Sequence, residues 1–329
     1  MASFAKFGND LYTGERSFNF VGRRRIWYTI AFVMIGLSIL LPILRGGFVF
    51  GIEFSGGSEF QISGVAHVDQ QVASDAVTSV VADATPRVSI VGTDSVRVQT
   101  EQLTTDQSTA VRDSLAAAYD VPADQVTSSF IGPSWGADIT GAAVRALIVF
   151  VALAAILMAI YFRTWKMSLA AIVSLFHDMI ITVGVYGAFG FEITPAAVIG
   201  FLTILGYSLY DTVVVFDKIR ENTSEGSGRT FAESVNLAVN QTLVRSINTG
   251  VVAALPVGAI LFIGTTLLGA GTLRDISLAL FVGILVGTYS TIFIGAPFYS
   301  QLRENEPEIA KSTKKVVANT SRSTTGAVR

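Results

Sequence analysis

The chain has 329 residues, of which 51% are hydrophobic and 15% are charged, and its formal net charge is −2. This composition excludes an ordinary soluble domain, and the long blocks of hydrophobic residues indicate an integral membrane protein. Cysteine is absent, which excludes disulfides and thiolate metal sites. The sequence has no phosphate-binding loop of the GxxxxGK[ST] type, so ATP is not expected to be the chain's own energy source. We expect no cofactor, no metal ion and no nucleic-acid partner.

Six apolar blocks are long enough to cross about 30 Å of hydrocarbon as helices. They are 26–44, 142–162, 168–191, 195–216, 247–268 and 276–299. A basic segment precedes the first block, but no small-residue cleavage motif follows it. We therefore interpret that block as a retained first span and not as a signal peptide.

Lysine and arginine are concentrated on one side of the predicted membrane. If the N-terminus is inside, 16 of them fall on the inner side and 6 on the outer side, and Arg245 is left at the membrane. This asymmetry predicts that both termini are cytoplasmic. The predicted domains are a cytoplasmic segment (1–25), a first transmembrane helix (26–45), an external domain (46–140), the five-helix remainder of the bundle (141–302) and a disordered cytoplasmic tail (303–329).

The segment 46–140 contains twelve acidic residues, three arginines and no lysine. Its patterns predict, in order, a strand over 52–62 that bends at Gly56-Gly57, a helix over 68–84, a hairpin over 88–98, a helix over 105–119 and a strand over 126–131. This β-α-β-β-α-β order is that of the ferredoxin-like fold. We interpret such a small, acidic module without catalytic motifs as a binding or lever domain.

Local signals mark several helix ends and one packing face. Thr194-Pro195 has the residues preferred at a helix start, and Thr230 with Glu233 has capping-box spacing that predicts an interfacial helix near 230–243. The sixth block carries a small residue every four positions, which predicts close approach of a neighbouring helix. These residues are Ala279, Gly283, Gly287, Thr291 and Gly295.

One carboxylate, Asp211, lies inside the fourth apolar block. At membrane depth it costs about 2.5 to 3.5 kcal/mol on insertion scales, so it normally faces a bundle interior or a water path and has a function. We expect its partner on another span, and Arg245 is the best candidate. A nearby arginine stabilises the ionised aspartate, and moving it away favours the protonated form, which would make a proton switch. The alternative is that Arg245 only extends to the inner interface.

Other polar residues could belong to the same site. His177 and Asp178 lie near the middle of the third block, where a histidine could relay protons. The alternative is a buried hydrogen-bonded pair that only packs. Thr212, Asn248 and Thr249 could line a wet path or bond backbone carbonyls.

Six motifs carry a resemblance to a known family. They are GIEFSGG (51–57), IGPSWG (131–136), HD (177–178), GYSLYDTVVVFDKIREN (206–222), NQTLVRSINT (240–249) and GTYSTIFIGAP (287–297). In this order they resemble the SecF proteins of the SecD/SecF family, protein-export membrane subunits of the resistance-nodulation-division (RND) superfamily. The resemblance covers about residues 17–303. Tyr210 stands where the family commonly has Asn, and Glu53 where it commonly has Asp.

The resemblance implies six transmembrane helices, half of an RND-type bundle, with an external ferredoxin-like α+β domain between the first and second helices. It implies an accessory subunit of the Sec preprotein translocase in the cell membrane of a prokaryote. With SecD, such a subunit couples the proton-motive force to late steps of translocation through the SecYEG channel, after the SecA motor has started it. The family's proton-linked residues fall on Asp211 and Arg245, and the external domain would contact the emerging preprotein.

Two alternatives remain open on the sequence. An RND-type proton-driven exporter of lipid or small molecules would usually fuse two halves and carry larger external domains. A structural scaffold for other translocon subunits would have no need of a buried charge. The sequence also leaves open whether the coupling ion is H⁺ or Na⁺. The basic residues of the tail could contact anionic membrane lipids.

Overall fold

A computed structural model describes residues 2–224, 228–264 and 271–324. In chain order the helices are α1 (Ala2–Thr13), α2 (Arg24–Leu44), α3 (Ile52–Ser55), α4 (Gln70–Val80), α5 (Thr105–Ala118), α6 (Pro133–Phe162), α7 (Trp165–Phe189), α8 (Pro195–Ser224), α9 (Phe231–Ala259), α10 (Gly271–Ser290), α11 (Ala296–Arg303) and α12 (Pro307–Thr324). The strands are β1 (Val49–Phe50), β2 (Gly57–Ser63), β3 (Arg87–Val91), β4 (Ser95–Thr100), β5 (Val126–Ile131) and β6 (Glu192–Ile193). A π-helical turn, Ile260–Gly264, follows α9, and another, Thr291–Gly295, joins α10 to α11.

Six helices of the described chain are long and apolar enough to cross a membrane. They are α2, α6, α7, α8, α9 with its π turn, and α10 continued through α11. Each overlaps one of the six apolar blocks, so the predicted number of spans is confirmed. Most are longer than their block because polar turns continue the helix: α9, for example, starts at Phe231, well before the block that begins at Ile247. The predicted interfacial helix near 230–243 is thus the first part of α9.

The helix starts follow the local signals. Thr194 precedes α8, and its Oγ1 accepts a hydrogen bond from the amide of Ala197 at 3.2 Å. Before α9, Thr230 Oγ1 accepts from the Glu233 amide at 3.3 Å, and a Glu233 carboxylate oxygen accepts from the Thr230 amide at 2.8 Å. Both bonds satisfy amides that the helix itself leaves unpaired. The predicted capping box is confirmed.

The small residues of the sixth span form its contact with α8. A Cβ added at Gly283 would lie 2.1 Å from Ile204 Cγ1, and one at Gly287 would lie 3.2 Å from Ser208 Cβ. Further along the span, Thr291 Oγ1 lies 3.0 Å from Thr212 Oγ1. Only small side chains allow the two backbones to approach this closely. The predicted close approach is confirmed, and α8 is the helix that it brings near.

The external domain is a four-stranded antiparallel sheet with two helices. The strand order is β3-β4-β2-β5, and every pair in this sheet is antiparallel. Helices α4 and α5 pack on one face, where the core contains Phe60, Ile62, Val98, Val111 and Leu115, all fully buried. This is the predicted ferredoxin-like order, with the first strand between the third and the last.

Two predicted features of the chain are wrong in the structure. The strand predicted over 52–62 is split: 52–55 form the helical turn α3, and β2 begins only at Gly57, after the bend at Gly56 (φ 76°) and Gly57 (φ 146°). A Cβ at Gly57 would lie 2.4 Å from the Thr100 carbonyl oxygen, so this sharp reversal requires glycine.

The tail predicted to be disordered contains a helix, α12, at Pro307–Thr324. Its start carries favourable local signals, with proline at the first helical position and Glu308 in the first turn. Glu306, just before it, is held by Lys166 Nζ at 2.9 Å and by Arg303 Nη2 at 3.0 Å. The hydrogen bond from Arg303 lowers the pKa of Glu306 most; burial opposes it, and the hydrogen bond from Lys166 adds to the lowering. Composition alone does not reveal this anchoring. The residues beyond 324 lie outside those described.

Candidate functional site

Asp211 lies on α8, against α9, with only 5% of its surface exposed. Ser246 of α9 donates a hydrogen bond from Oγ to Asp211 Oδ1 at 2.9 Å. The other carboxylate oxygen, Oδ2, is buried and has no hydrogen-bond partner among the described residues. The acid is therefore inside the protein, as predicted, and is held on one oxygen by an uncharged donor.

The predicted ion pair between Asp211 and Arg245 is absent from the described part of the chain. No nitrogen of Arg245 comes within 4.0 Å of the Asp211 carboxylate, and the arginine side chain is exposed on the surface of this chain. Consecutive residues of a helix point about 100° apart, so Ser246 contacts Asp211 directly while Arg245 lies further round α9, where its charge still acts on the carboxylate. The rotation of α9 places Ser246 at the aspartate. The sequence offered only a weak signal for this serine, namely a small hydroxyl beside the predicted arginine.

A second buried carboxylate, Asp178, lies between α7, α8 and α10 and is fully buried. Ser208 of α8 donates from Oγ to Asp178 Oδ2 at 2.5 Å. His177 Nδ1 lies 3.2 Å from Asp178 Oδ1. Ser208 is three residues before Asp211 on α8, so the residue that bonds Asp178 lies within one helical turn of Asp211. His177 and Asp178 are thus both buried and in contact, whichever of the two predicted roles they have.

The remaining polar residues divide into two groups. Thr212 is buried in the bundle, where it pairs with Thr291, as described above, and donates to the Ser208 carbonyl at 2.9 Å. Asn248 is exposed and Thr249 is half-buried on α9, and neither has a hydrogen bond to the carboxylates among the described residues. The predicted set therefore separates into residues inside the bundle and residues on its surface.

The structure adds one aromatic residue that sequence reasoning missed. Tyr289 of α10 lies beside His177, with ring centroids 6.1 Å apart. Its hydroxyl and His177 Nε2 are both buried, and neither has a hydrogen-bond partner among the described residues. Buried polar atoms without a partner are costly in a bundle core, so these two atoms are the least satisfied part of the site.

The side chains of this arrangement can bind and release protons, because carboxylates, an imidazole and hydroxyls all exchange them. The described residues contain no group of three or more His, Cys, Asp or Glu side chains. Hydroxyl partners suit both states of a carboxyl group, because a hydroxyl can donate to the ionised form and accept from the protonated one.

Replacing Ser208 by alanine is expected to destabilise the bundle. It removes the donor from a fully buried carboxylate oxygen, which costs about 1 to 3 kcal/mol. The midpoint of thermal unfolding of the purified protein in detergent should fall. Thr203→Ala is the matched control, because this exposed hydroxyl bonds only the carbonyl of Ile199 in its own helix. Equal midpoints for the two variants would contradict the assigned role of Ser208.

The fold and the site together define a class: a six-span membrane protein with an external α+β domain and acidic residues buried between its helices. A family model, described as protein export membrane protein SecD/SecF, C-terminal, matches residues 110–305. The chain belongs to this SecD/SecF family. Nothing in the described residues contradicts the fold that the family resemblance implied.

Known relatives cover most of the chain. It is 43% identical over 330 residues to protein translocase subunit SecF of Streptomyces coelicolor, covering 97% of this chain and 85% of the relative. It is 41% identical over 324 residues to protein translocase subunit SecF of Mycobacterium tuberculosis, covering 94% and 73%. The crystal structure of SecDF, a translocon-associated membrane protein from Thermus thermophilus, matches with a TM-score of 0.77 and 29% identity. That match covers 88% of this chain but only 39% of the SecDF chain.

Proposed function

We propose that the chain is an accessory subunit of the Sec preprotein translocase that works with SecD in late steps of export through the SecYEG channel, after SecA has acted. The names of the relatives support the translocase role, since both curated proteins reported above are called protein translocase subunit SecF. None of these relatives is named as an exporter of lipids or small molecules. The location that follows is the cell membrane, with both termini in the cytoplasm.

A SecD partner follows from the length of the solved relative. This chain accounts for 39% of the SecDF chain that it matches, so most of that protein has no counterpart here. We assign the missing part to a separate SecD subunit. The exposed Arg245 and the apolar residues around it on α9, such as Val251 and Val252, lie on a surface that such a subunit could cover.

The coupling role rests on one observation, the buried carboxyl group of Asp211 with its single hydroxyl partner on α9. In our proposal, Ser246 holds the aspartate in one state and Arg245 replaces it in another, after α9 turns about its axis by about 100°. The guanidinium stabilises the ionised aspartate, and its departure favours proton uptake. The gradient supplies about 2.3 kcal/mol per charge per 100 mV for such a cycle.

Asp178 and His177 have a supporting role in this proposal. Asp178 holds Ser208 on α8 and so fixes the orientation of the helix turn that carries Asp211. The external domain, which continues into α6 through β5, would pass the motion to the emerging preprotein. The coupling ion in this scheme is H⁺, which the carboxyl group of Asp211 can bind and release.

Co-purification from membranes in mild detergent tests the assignment to the translocase. A tagged chain should retain SecD in a stable complex, because a six-span half leaves lipid-exposed faces that a second half would cover. The same preparation from cells lacking SecD is the control for the identity of the retained band. Recovery of the tagged chain alone, under conditions that preserve other membrane complexes, would contradict the proposed partnership.

A further inference from the structure

The external domain meets the membrane bundle at a group of polar residues that we call the outer cluster. It consists of Glu53, Glu59, Arg97, Gln99 and Glu192. Glu59, Arg97 and Gln99 lie on the sheet of the domain, whereas Glu192 lies in the connection between α7 and α8. The cluster therefore joins two parts of the fold that are far apart in sequence.

Gln99 makes the direct bridge. Its Nε2 donates to Glu192 Oε1 at 2.7 Å and to Glu59 Oε2 at 2.9 Å. Beside it, Arg97 lies 3.9 Å from Glu192 and 3.8 Å from Glu59, which is beyond hydrogen-bond distance. The side chains of Arg97 and Glu192 are only 20% and 19% exposed. One amide and one shared guanidinium thus hold two carboxylates away from water.

The backbone brings Glu192 to this place. Strand β6 pairs in parallel with β1, so that Glu192 lies opposite Val49 and Ile193 opposite Phe50. The amide of Gly51 also donates to the Ile193 carbonyl at 3.0 Å. Because β1 leads directly into the external domain, this short pair holds the entrance of the domain on the outer end of the bundle.

The outer cluster has more negative than positive charge. It contains three carboxylates and one guanidinium, and Glu53 Oε2 is buried with no hydrogen-bond partner among the described residues. On the bundle side, Asp275 is already bonded by Thr194 Oγ1 at 2.8 Å, and the Arg274 guanidinium lies over the Phe191 ring at 5.6 Å. Neither of these neighbours has a hydrogen bond or ion pair to Glu192 in the part of the chain that the structure describes.

Protonation of Glu192 is coupled to this contact. Burial raises the pKa of Glu192, and Glu53 and Glu59 add to the rise, while the hydrogen bond from Gln99 and the charge of Arg97 oppose it. If the domain moved away, Glu192 would regain water and its pKa would fall toward its ordinary value. Because the pKa of Glu192 is higher when the domain contacts the bundle, a proton bound to Glu192 stabilises that contact. This contribution is complete below the ordinary pKa and is lost as the pH rises through the raised one.

We propose that Glu192 is a proton-binding contact on the outer side of the membrane that holds the external domain against the bundle. When Glu192 holds a proton, the domain stays in contact with the bundle. When Glu192 is ionised, the surplus negative charge of the outer cluster weakens this contact. The lower pH on the outer side of an energised membrane would then favour the contact between the domain and the bundle. This contact is separate from Asp211, and its test does not depend on export.

A distance measurement on the full chain in lipid nanodiscs tests the proposal. The chain has no cysteine, so nitroxide labels can be placed at Ala110→Cys on the domain and Leu273→Cys at the outer end of α10. Both positions are exposed. Double electron–electron resonance at about pH 4, below the ordinary pKa of glutamate, and at about pH 8 should give a narrow distance distribution at the lower pH and a broader or shifted one at the higher.

Three variants in the labelled background define the outcome. Glu192→Gln keeps an acceptor for Gln99 without the charge, so its distribution should be narrow at both pH values. Gln99→Ala removes the bridge and should broaden both. Asp83→Asn, an exposed acid of the same domain, should retain the pH response of the parent. A parent that is identical at both pH values, or a Glu192→Gln variant that still responds, would overturn the proposal.

Discussion

Replacing Asp211 by asparagine is expected to abolish gradient-dependent export while the subunit still assembles. Asparagine has nearly the same shape, and its carbonyl oxygen can accept the bond that Ser246 now donates at 2.9 Å. The contact between α8 and α9 should therefore survive. The amide cannot take up or release a proton, so the coupling step is lost and export should fall to the level of cells that lack the subunit.

The measurement is the translocation of a preprotein into membrane vesicles, with and without a proton gradient. Asp217→Asn is the matched control, because this acid lies further along the same helix but is exposed. Its export should equal that of the parent. Normal gradient-dependent export by a well-expressed Asp211→Asn protein would refute the coupling role and favour a structural scaffold.

Replacing Gly184 by alanine is expected to disrupt the packing of α2 against α7. A Cβ at this position would lie 2.2 Å from Ser38 Cβ and 2.7 Å from Ser38 Cα. Since one of these atoms belongs to the backbone of α2, the side chain of Ser38 cannot simply rotate away. The two helices must separate, and such overpacking costs about 1 to 3 kcal/mol, occasionally more.

The purified Gly184→Ala protein should show a lower midpoint of thermal unfolding and a lower yield in detergent. Gly36→Ala is a suitable control, because a Cβ at this position on α2 would meet no atom within 4 Å among the described residues. That substitution should be neutral or slightly stabilising. Equal stability of the two variants would show that α2 is not packed on α7 as described.

Features that depend on neighbouring residues were predicted well. The capping box at Thr230 and Glu233 forms as expected, because both of its bonds lie within one turn of helix. The last strand of the domain begins and ends at the predicted residues, Val126 and Ile131. Where local signals compete, prediction was weaker. The turn α3 interrupts a run of residues that favours a strand, because the chain must reverse at two glycines before it enters the sheet.

The candidate site shows the limit of this reasoning. The spacing of Asp211 and Arg245 on consecutive spans suggested an ion pair, yet Ser246 takes the place of the arginine. A shift of one residue changes the direction of a side chain by about 100°, and the rotation of α9 depends on its contacts with other helices. The bridge from Gln99 to Glu192 joins residues 93 apart in the chain, and no local pattern marks it.

Hydrophobic block lengths and local start signals were thus enough to establish six spans, the βαββαβ domain and the burial of one acid, since each follows from the transfer of side chains between water and hydrocarbon. The partners of the buried acids were decided only when the helices packed together. Hydrogen bonds act over about 3 Å, so they depend on helix rotations and on a β1–β6 contact that arise from the whole fold.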